Sequence, residues 1–238
     1  MTAATTARER TAARRQAQHR YAAVFVLVLA LLLFEIIAPA GSGTRAVDVA
    51  LSGAALTVAV ATSRIGGRVR RSRARVVATV ALLFVIGIGS GLFGRPITFL
   101  VVTALVALIP VALVGGLLRL VRQAGVTFQV VAGALTIYLV VGLMFASIIA
   151  FTAVVETGPY FKQGLVSTGE VVYYSFTVLT TTGFGDYTAA QPFGHALAVL
   201  EMLTGQLYLV TVIGIVVGNF ARRRTARDIR SEPDLEET

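Results

Sequence analysis

The sequence contains no cysteine and no tryptophan, and it is poor in charged residues. Without cysteine the chain cannot form a disulfide, use a thiolate nucleophile or bind a metal through sulfur. Its two histidines, His19 and His195, are far apart in the sequence, so we expect no zinc site built from imidazoles. Charged residues make up 14% of the chain, against about 25% in an average soluble protein. This composition excludes an ordinary cytosolic enzyme.

Long apolar runs are present instead, and 56% of the residues are hydrophobic. A helix that crosses a bilayer needs about 20 mostly apolar residues. Six runs bounded by charge, glycine or proline cover about 22–38, 46–63, 76–94, 96–118, 127–155 and 196–220. We therefore predict an all-α membrane protein with six transmembrane helices. A signal peptide is the alternative for the first run, because Ala38-Pro39-Ala40 resembles a cleavage site, but the run is long and Pro39 disfavours cleavage.

Basic residues are unevenly distributed among the segments that connect these runs. If both ends of the chain lie inside, the inner segments hold 18 of the 21 Lys and Arg residues, and the outer segments keep Arg45, Arg95 and Lys162. Positively charged loops stay in the cytoplasm. We therefore predict a multi-pass protein of the cell membrane with both termini cytoplasmic. The net charge of +9 then reports orientation, and we expect no nucleic-acid partner.

The chain divides into four regions. These are a cytoplasmic N-terminal arm at 1–20, a four-helix transmembrane region at 21–122, a region at 123–221 that contains the fifth and sixth runs, and a cytoplasmic tail at 222–238. The fourth run has no charged residue, and Arg119 and Arg122 follow it at the inner end. Region 21–122 therefore lacks the arginine series of a voltage sensor. Because only a short tail follows the sixth run, we expect any regulator to be a separate, unidentified partner.

The segment between the fifth and sixth runs carries the chemistry. Ser167-Thr168-Gly169-Glu170 fits a capping box, which predicts a short helix that dips into the membrane from outside. The helix should end at residues 180–186, with the sequence Thr-Thr-Thr-Gly-Phe-Gly-Asp. Non-helical backbone at this depth is tolerated only where protein buries it or where it lines a water-filled path. Gly183 and Gly185 can adopt left-handed dihedral angles, which allows successive carbonyl groups to face one axis and replace the water shell of a cation.

Residues 180–186 resemble the potassium-channel signature T-T-V-G-Y-G-D, with Thr182 in place of Val and Phe184 in place of Tyr. The resemblance covers about residues 130 to 222. Upstream of the signature, Tyr173-Tyr174-Ser175-Phe176-Thr177 is similar to the aromatic pore helix of these channels. Downstream, Gly205 falls where the family carries its inner-helix hinge glycine.

The resemblance implies a potassium-selective channel of prokaryotic type, with a pore domain at 123–221. Each chain supplies one filter segment and a pore needs four, so it also implies a homotetramer. Potassium sites would be formed by the carbonyl groups of Thr181, Thr182, Gly183 and Phe184 with the Thr181 hydroxyl, and Gly185 would complete the outer entrance. Filter support would come from Asp186, Tyr173, Tyr174 and Thr177. Potassium is then the permeant ligand, membrane lipids surround the protein, and no cofactor is expected.

Three acidic positions and one glycine keep alternative interpretations. Glu201 lies within the sixth run, where an acid is a functional candidate, and we favour support of the filter from behind over a position that faces the mouth. Gly205 is either a gating hinge or a close-packing glycine. Glu35 and Asp48 lie near the outer ends of the first two runs, where surface exposure is favoured over a buried pair.

Other functions are weighed against the potassium channel. The residues Thr182 and Phe184 leave a weakly selective monovalent cation channel as the alternative. An intramembrane hydrolase is disfavoured, because Ser52-Gly53 does not belong to a G-x-S-G string and no carboxylate is placed to complete a triad with His195. We therefore expect no enzyme. A scaffold protein with a closed pore would be distinguished by a flux assay.

Overall fold

A computed structural model describes residues 22–38, 42–62, 100–110 and 128–231, with scattered positions between 76 and 97 and at 113. The predicted N-terminal arm at 1–20, much of the third run at 76–94 and both ends of the fourth run lie outside the described residues. The last residues of the predicted tail do so as well.

The described residues form helices. They are α1 (Ala22–Ile37), α2 (Ser42–Thr62), α3 (Leu100–Pro110), α4 (Phe128–Val155), α5 (Thr168–Leu179) and α6 (Pro192–Ser231). Within the described ranges there is no β-strand, and only isolated bridges join Phe161 to Gly164 and to Ala189. The predicted all-α fold is therefore confirmed for this part of the chain.

Two of the helices are long and apolar enough to cross a membrane. They are Val130–Val155, within α4, and Pro192–Val212, at the start of α6. Shorter apolar helices cover Ala22–Ile37, Val47–Val60 and Leu100–Pro110. Two of the six predicted spans thus correspond to helices of spanning length among the described residues. The total of six spans stays a prediction.

Helix α6 is longer at both ends than the sixth apolar run. It begins at Pro192, before the predicted start at 196, because proline is well suited to the first turn of a helix, where its missing N–H is no loss. It continues to Ser231, through the residues predicted as a tail. No glycine or proline occurs between Gly218 and Pro233, so nothing in the local sequence stops the helix there.

The short helix α5 packs between α4 and α6. Its buried side chains include Val171, Val172, Tyr174 and Leu179. At the crossing with α4, a Cβ atom on Gly142 would lie 2.6 Å from the Phe176 ring, so only glycine allows this approach. Helices α1, α2 and α3 contribute Val28, Leu56, Ile109 and other buried residues to the same apolar core. Helix α5 is therefore held on several sides, which positions the loop that follows it.

Candidate ion-conduction site

The capping box at the start of α5 is present as the sequence predicts. The Ser167 hydroxyl accepts a hydrogen bond from the Glu170 N–H at 3.3 Å, and the Glu170 carboxylate accepts one from the Ser167 N–H at 2.5 Å. Glu170 also accepts a hydrogen bond from the Tyr187 hydroxyl at 2.7 Å. The Ser167 N–H and the Tyr187 hydroxyl hold the pKa of Glu170 below its ordinary value of 4.5. Helix α5 therefore starts at a fixed point and is tied there to the loop that contains Tyr187.

Two tyrosines of α5 meet the loop segments on either side of the helix. Tyr174 is buried and packs edge-on against Phe161, with ring centroids 5.0 Å apart. Tyr173 lies parallel to Phe184, with centroids 6.4 Å apart and planes 3° from parallel. The Tyr173 hydroxyl is also within hydrogen-bonding reach of Asp186, which raises the pKa of Tyr173. Phe184 has no hydroxyl, and here its ring is stacked against α5 instead.

The sign of the φ angle alternates along the backbone after α5. The φ angle is positive at Thr181 (57°), Gly183 (55°) and Gly185 (80°). Among the described residues, Thr181 is the one residue other than glycine with a positive φ. Glycine adopts this conformation readily, and both glycines were predicted to do so. A β-branched residue such as Thr181 adopts it rarely, and strain of this kind is typical of functional segments. The positive φ of Thr181 was not predicted from the sequence.

The filter segment is attached to the end of α5 by its own N–H groups. The Thr182 and Gly183 N–H groups both donate to the Thr177 carbonyl, at 2.9 and 3.1 Å. In a trans peptide the N–H and C=O groups point in opposite directions, and the described part of the chain has no cis peptide. The carbonyl groups of Thr181 and Thr182 therefore point away from α5. Thr177, predicted to support the filter, meets it through its main chain, whereas its hydroxyl bonds to the Tyr174 carbonyl at 2.8 Å.

The three threonine hydroxyls of the segment all have partners. Thr180 donates to the Phe176 carbonyl at 2.7 Å, so its oxygen can accept from the Thr182 hydroxyl, 2.9 Å away. The Thr181 hydroxyl donates to the Thr180 carbonyl at 2.7 Å and accepts from the Gln206 amide of α6 at 2.9 Å. The sequence analysis missed Gln206. Its only signal is a polar residue in an otherwise apolar stretch of α6.

A second glutamine that the sequence analysis missed holds the outer end of the segment. The Gln163 amide nitrogen donates to the Asp186 carbonyl at 2.7 Å, and its amide oxygen accepts from the Thr188 N–H at 3.2 Å. The Asp186 carboxylate accepts a hydrogen bond from the Tyr187 N–H at 3.1 Å. The loop before α5 and the loop after the filter are thereby joined at the outer mouth.

Glu201 of α6 lies completely buried against α5. The Ser175 hydroxyl is 2.5 Å from one Glu201 carboxyl oxygen and 2.9 Å from the Gly142 carbonyl. The other carboxyl oxygen is buried without a hydrogen-bond partner. This arrangement links α4, α5 and α6 behind the filter and keeps Glu201 away from the mouth of the protomer. Its effect on the filter stays a prediction.

Gly205 lies where α6 crosses the end of α5. A Cβ atom on it would be 2.2 Å from the Leu179 carbonyl oxygen, a distance that atoms do not adopt without movement of the backbone. Helix α6 continues through this position to Ser231. The structure thus shows Gly205 as a close-packing glycine, and the hinge role stays a prediction.

The filter segment itself is uncovered in the single chain. Every residue from Thr180 to Asp186 is exposed, and Phe184 is 67% exposed. Among the described residues, no group of three or more His, Cys, Asp and Glu side chains is placed to hold a metal ion. A metal site of that kind is therefore not formed by the described side chains.

Comparison with known proteins agrees with this geometry. Residues 133–222 match the model of a family described as "Ion channel". The match includes α5, the filter segment, most of α4 and most of α6, and it lies outside α1, α2 and α3. No curated protein and no solved structure gives a significant match. The family match supports an ion channel and, with the apolar helices, a membrane protein.

Proposed function

We propose that the protein is a potassium-selective channel that conducts ions passively as a homotetramer. The observation that carries the proposal is the alternation of φ at Thr181, Gly183 and Gly185, together with the N–H groups turned toward α5. This alternation, and the Thr181 and Thr182 carbonyl groups that point away from α5, support a row of carbonyl oxygens on the exposed side of the segment. Rings of such carbonyls replace the hydration shell of potassium in selective filters.

A homotetramer is proposed because one chain surrounds only part of an ion. The exposed filter segment adjoins a row of exposed apolar side chains on α6. Leu200, Leu203, Leu207 and Val210 of this row are between 55% and 70% exposed, and their spacing places them on one side of the helix. Neighbouring copies and lipid would cover this apolar surface. Four filter segments around one axis would then complete the carbonyl rings.

The remaining features of the proposal follow the distribution of basic residues and apolar runs. Six spans with both termini in the cytoplasm agree with the placement of 18 of the 21 basic residues on one side. The protein would lie in the cell membrane, surrounded by lipid, and would catalyse no covalent reaction. A separate regulatory partner is left open.

A potassium flux assay in proteoliposomes tests the filter. Alanine at Gly183 must adopt a φ of 55°, which costs a residue with a Cβ atom about 1 kcal/mol or more. We expect Gly183→Ala to lose most of the flux. Gly158→Ala is the control, because the added methyl would meet only the end of the Gln191 side chain, at 3.3 Å. Full flux in a folded Gly183→Ala protein, or a strictly monomeric native protein, would contradict the proposal.

One observation keeps a weakly selective cation channel as the second candidate. The Thr182 hydroxyl bonds to Thr180 within the same segment, and Phe184 is held by stacking alone on the pore-helix side. Because neither side chain makes a hydrogen bond to α5, the filter is freer to adapt to a smaller ion at these two positions. A reversal potential near zero with opposed potassium and sodium solutions would favour this candidate, whereas one near the potassium equilibrium potential would exclude it.

A further inference from the structure

Two segments of the outer mouth run side by side, one before helix α5 and one after the filter. The Lys162 N–H donates to the Thr188 carbonyl at 3.0 Å, and the Ala190 N–H donates to the Tyr160 carbonyl at 2.8 Å. An isolated antiparallel bridge lies between these two bonds. The main chain that follows the filter is thereby fixed to residues that precede α5.

The side chain of Gln163 continues this pairing where the main chain turns away. The Gly164 N–H donates to the Phe161 carbonyl at 3.0 Å, and the φ of Gly164 is 89°, so the main chain makes a tight turn at this point. The Gln163 amide nitrogen donates to the Asp186 carbonyl, and its oxygen accepts from the Thr188 N–H. An amide side chain carries the same donor and acceptor as a peptide group. Gln163 therefore takes the place of the next peptide group in the pairing.

The bond to the Asp186 carbonyl is the outer attachment of the filter main chain. Its inner attachment is the Gly183 N–H, which donates to the Thr177 carbonyl at 3.1 Å. Between these two points, Phe184 and Gly185 make no hydrogen bond to another main-chain group of the described part of the chain. The Phe184 carbonyl therefore lies in a short span whose outer end is held at the main chain by the glutamine amide.

The side chain of Asp186 forms a separate attachment. The Tyr173 hydroxyl lies within hydrogen-bonding reach of the Asp186 carboxylate. Rotatable side-chain bonds separate this carboxylate from the main chain, so the contact with Tyr173 restrains the filter carbonyl groups less directly. The restraint on the main chain itself comes from Gln163.

The freedom of the carbonyl groups bears on which ion they select. Carbonyl groups placed for potassium make full contact with the smaller sodium ion only after they move inward. Specificity is the difference between the free energies of binding two ligands, so a restraint that opposes this movement adds to the preference for potassium. The Thr182 hydroxyl and the Phe184 ring make no hydrogen bond to α5. The two ends of the segment are left to supply the restraint.

We propose that Gln163 is a positioning residue that sets the preference for potassium over sodium from outside the signature sequence. The inference rests on the proposed channel function. Donation to the Asp186 carbonyl is the half of the contact that matters, because Asp186 is closer to Phe184 along the chain than Thr188 is. A glutamate at this position would keep the acceptor for the Thr188 N–H and lose the donor.

The reversal potential of the full-length protein in lipid bilayers, with potassium on one side and sodium on the other, tests the proposal. Gln163→Leu removes both hydrogen bonds, and we expect the sodium-to-potassium permeability ratio to rise about fivefold, the factor that one neutral hydrogen bond contributes. Gln163→Glu has nearly the same shape and should raise the ratio as well, because it cannot donate to the Asp186 carbonyl. Gln191→Leu is the matched control, because the Gln191 amide nitrogen lies beside Gly158 in the outer loop.

A third variant separates the donor from the charge. Gln163→Lys supplies a donor for the Asp186 carbonyl and should keep the permeability ratio close to the native value, although its charge is opposite to that of Gln163→Glu. A purely structural role would lower the Tm of Gln163→Leu and leave the ratio unchanged, and this outcome would overturn the proposal. An equal rise of the ratio in Gln191→Leu would overturn it too.

The native protein distinguishes failure of this inference from failure of the channel function. A native protein without a potassium-selective current would overturn the proposed function and this inference with it. A selective native protein, with unchanged ratios in Gln163→Leu and Gln163→Glu, would overturn the role of Gln163 alone.

Discussion

Replacing Gly205 by alanine tests how tightly α6 is fitted to the end of the pore helix. The new Cβ atom would lie 2.2 Å from the Leu179 carbonyl oxygen, so this oxygen would have to retreat by roughly 1 Å to reach van der Waals distance. Overpacking costs about 1–3 kcal/mol, and the upper end applies because backbone must move. Alanine itself gains about 1 kcal/mol over glycine inside a helix. We expect a net destabilisation of about 2 kcal/mol.

The matched control is Gly214→Ala on the same helix. No atom lies within 4 Å of a Cβ atom placed on Gly214, so this variant should show only the helix gain of about 1 kcal/mol. The two variants should therefore differ by about 3 kcal/mol, or by roughly 6–12 °C in Tm for a chain of this size. Thermal unfolding followed by circular dichroism in detergent measures the difference. Equal Tm values for the two variants would refute the close-packing argument.

Two further predictions concern the side chains that hold the filter segment at its two ends. Gln206→Leu removes the amide that donates to the Thr181 hydroxyl, which leaves this oxygen free to bind potassium. A neutral hydrogen bond contributes about 1 kcal/mol, so we expect the affinity of the potassium site at the Thr181 hydroxyl to rise about fivefold. Tighter binding should lower the unitary conductance. Thr204→Val is the control, because the Thr204 hydroxyl bonds only to its own helix. Unchanged conductance in Gln206→Leu would contradict the prediction. The pKa of Glu170 is lowered in the folded protein from 4.5, so its contribution to stability is present above pH 4.5 and is lost as the pH falls through the lower folded value. Tm measured against pH should show this acidic decline in the native protein, and a decline of equal size in Glu170→Gln would refute the assignment to Glu170.

Local signals in the sequence were sufficient to predict where helix α5 starts and how long it is. The Ser167 to Glu170 spacing is a pattern of neighbours, and its hydrogen bonds form within one turn. The left-handed conformations of Gly183 and Gly185 follow in the same way from the absence of a side chain. These features need no knowledge of the tertiary structure.

Contacts between distant segments could not be predicted from the sequence. Gln206 is 25 residues from Thr181, and Gln163 is 23 residues from Asp186. Asp48 is buried within hydrogen-bonding reach of Glu35, contrary to the surface exposure that the sequence favoured, and this pairing likewise depends on the packing of two helices. A polar residue in an apolar stretch shows that some partner is needed, but its identity is decided by the fold.

The length of α6 has a mechanical consequence. Its 40 residues extend about 60 Å, whereas the hydrocarbon layer of a bilayer is about 30 Å thick. If its first half crosses the layer, the second half projects beyond it as a continuous rod. Displacement of the projecting end by a bound protein would then tilt the turn of α6 that carries Gly205 and Gln206, which contact Leu179 and the Thr181 hydroxyl. Movement of the region after the span would thus be transmitted to the filter segment.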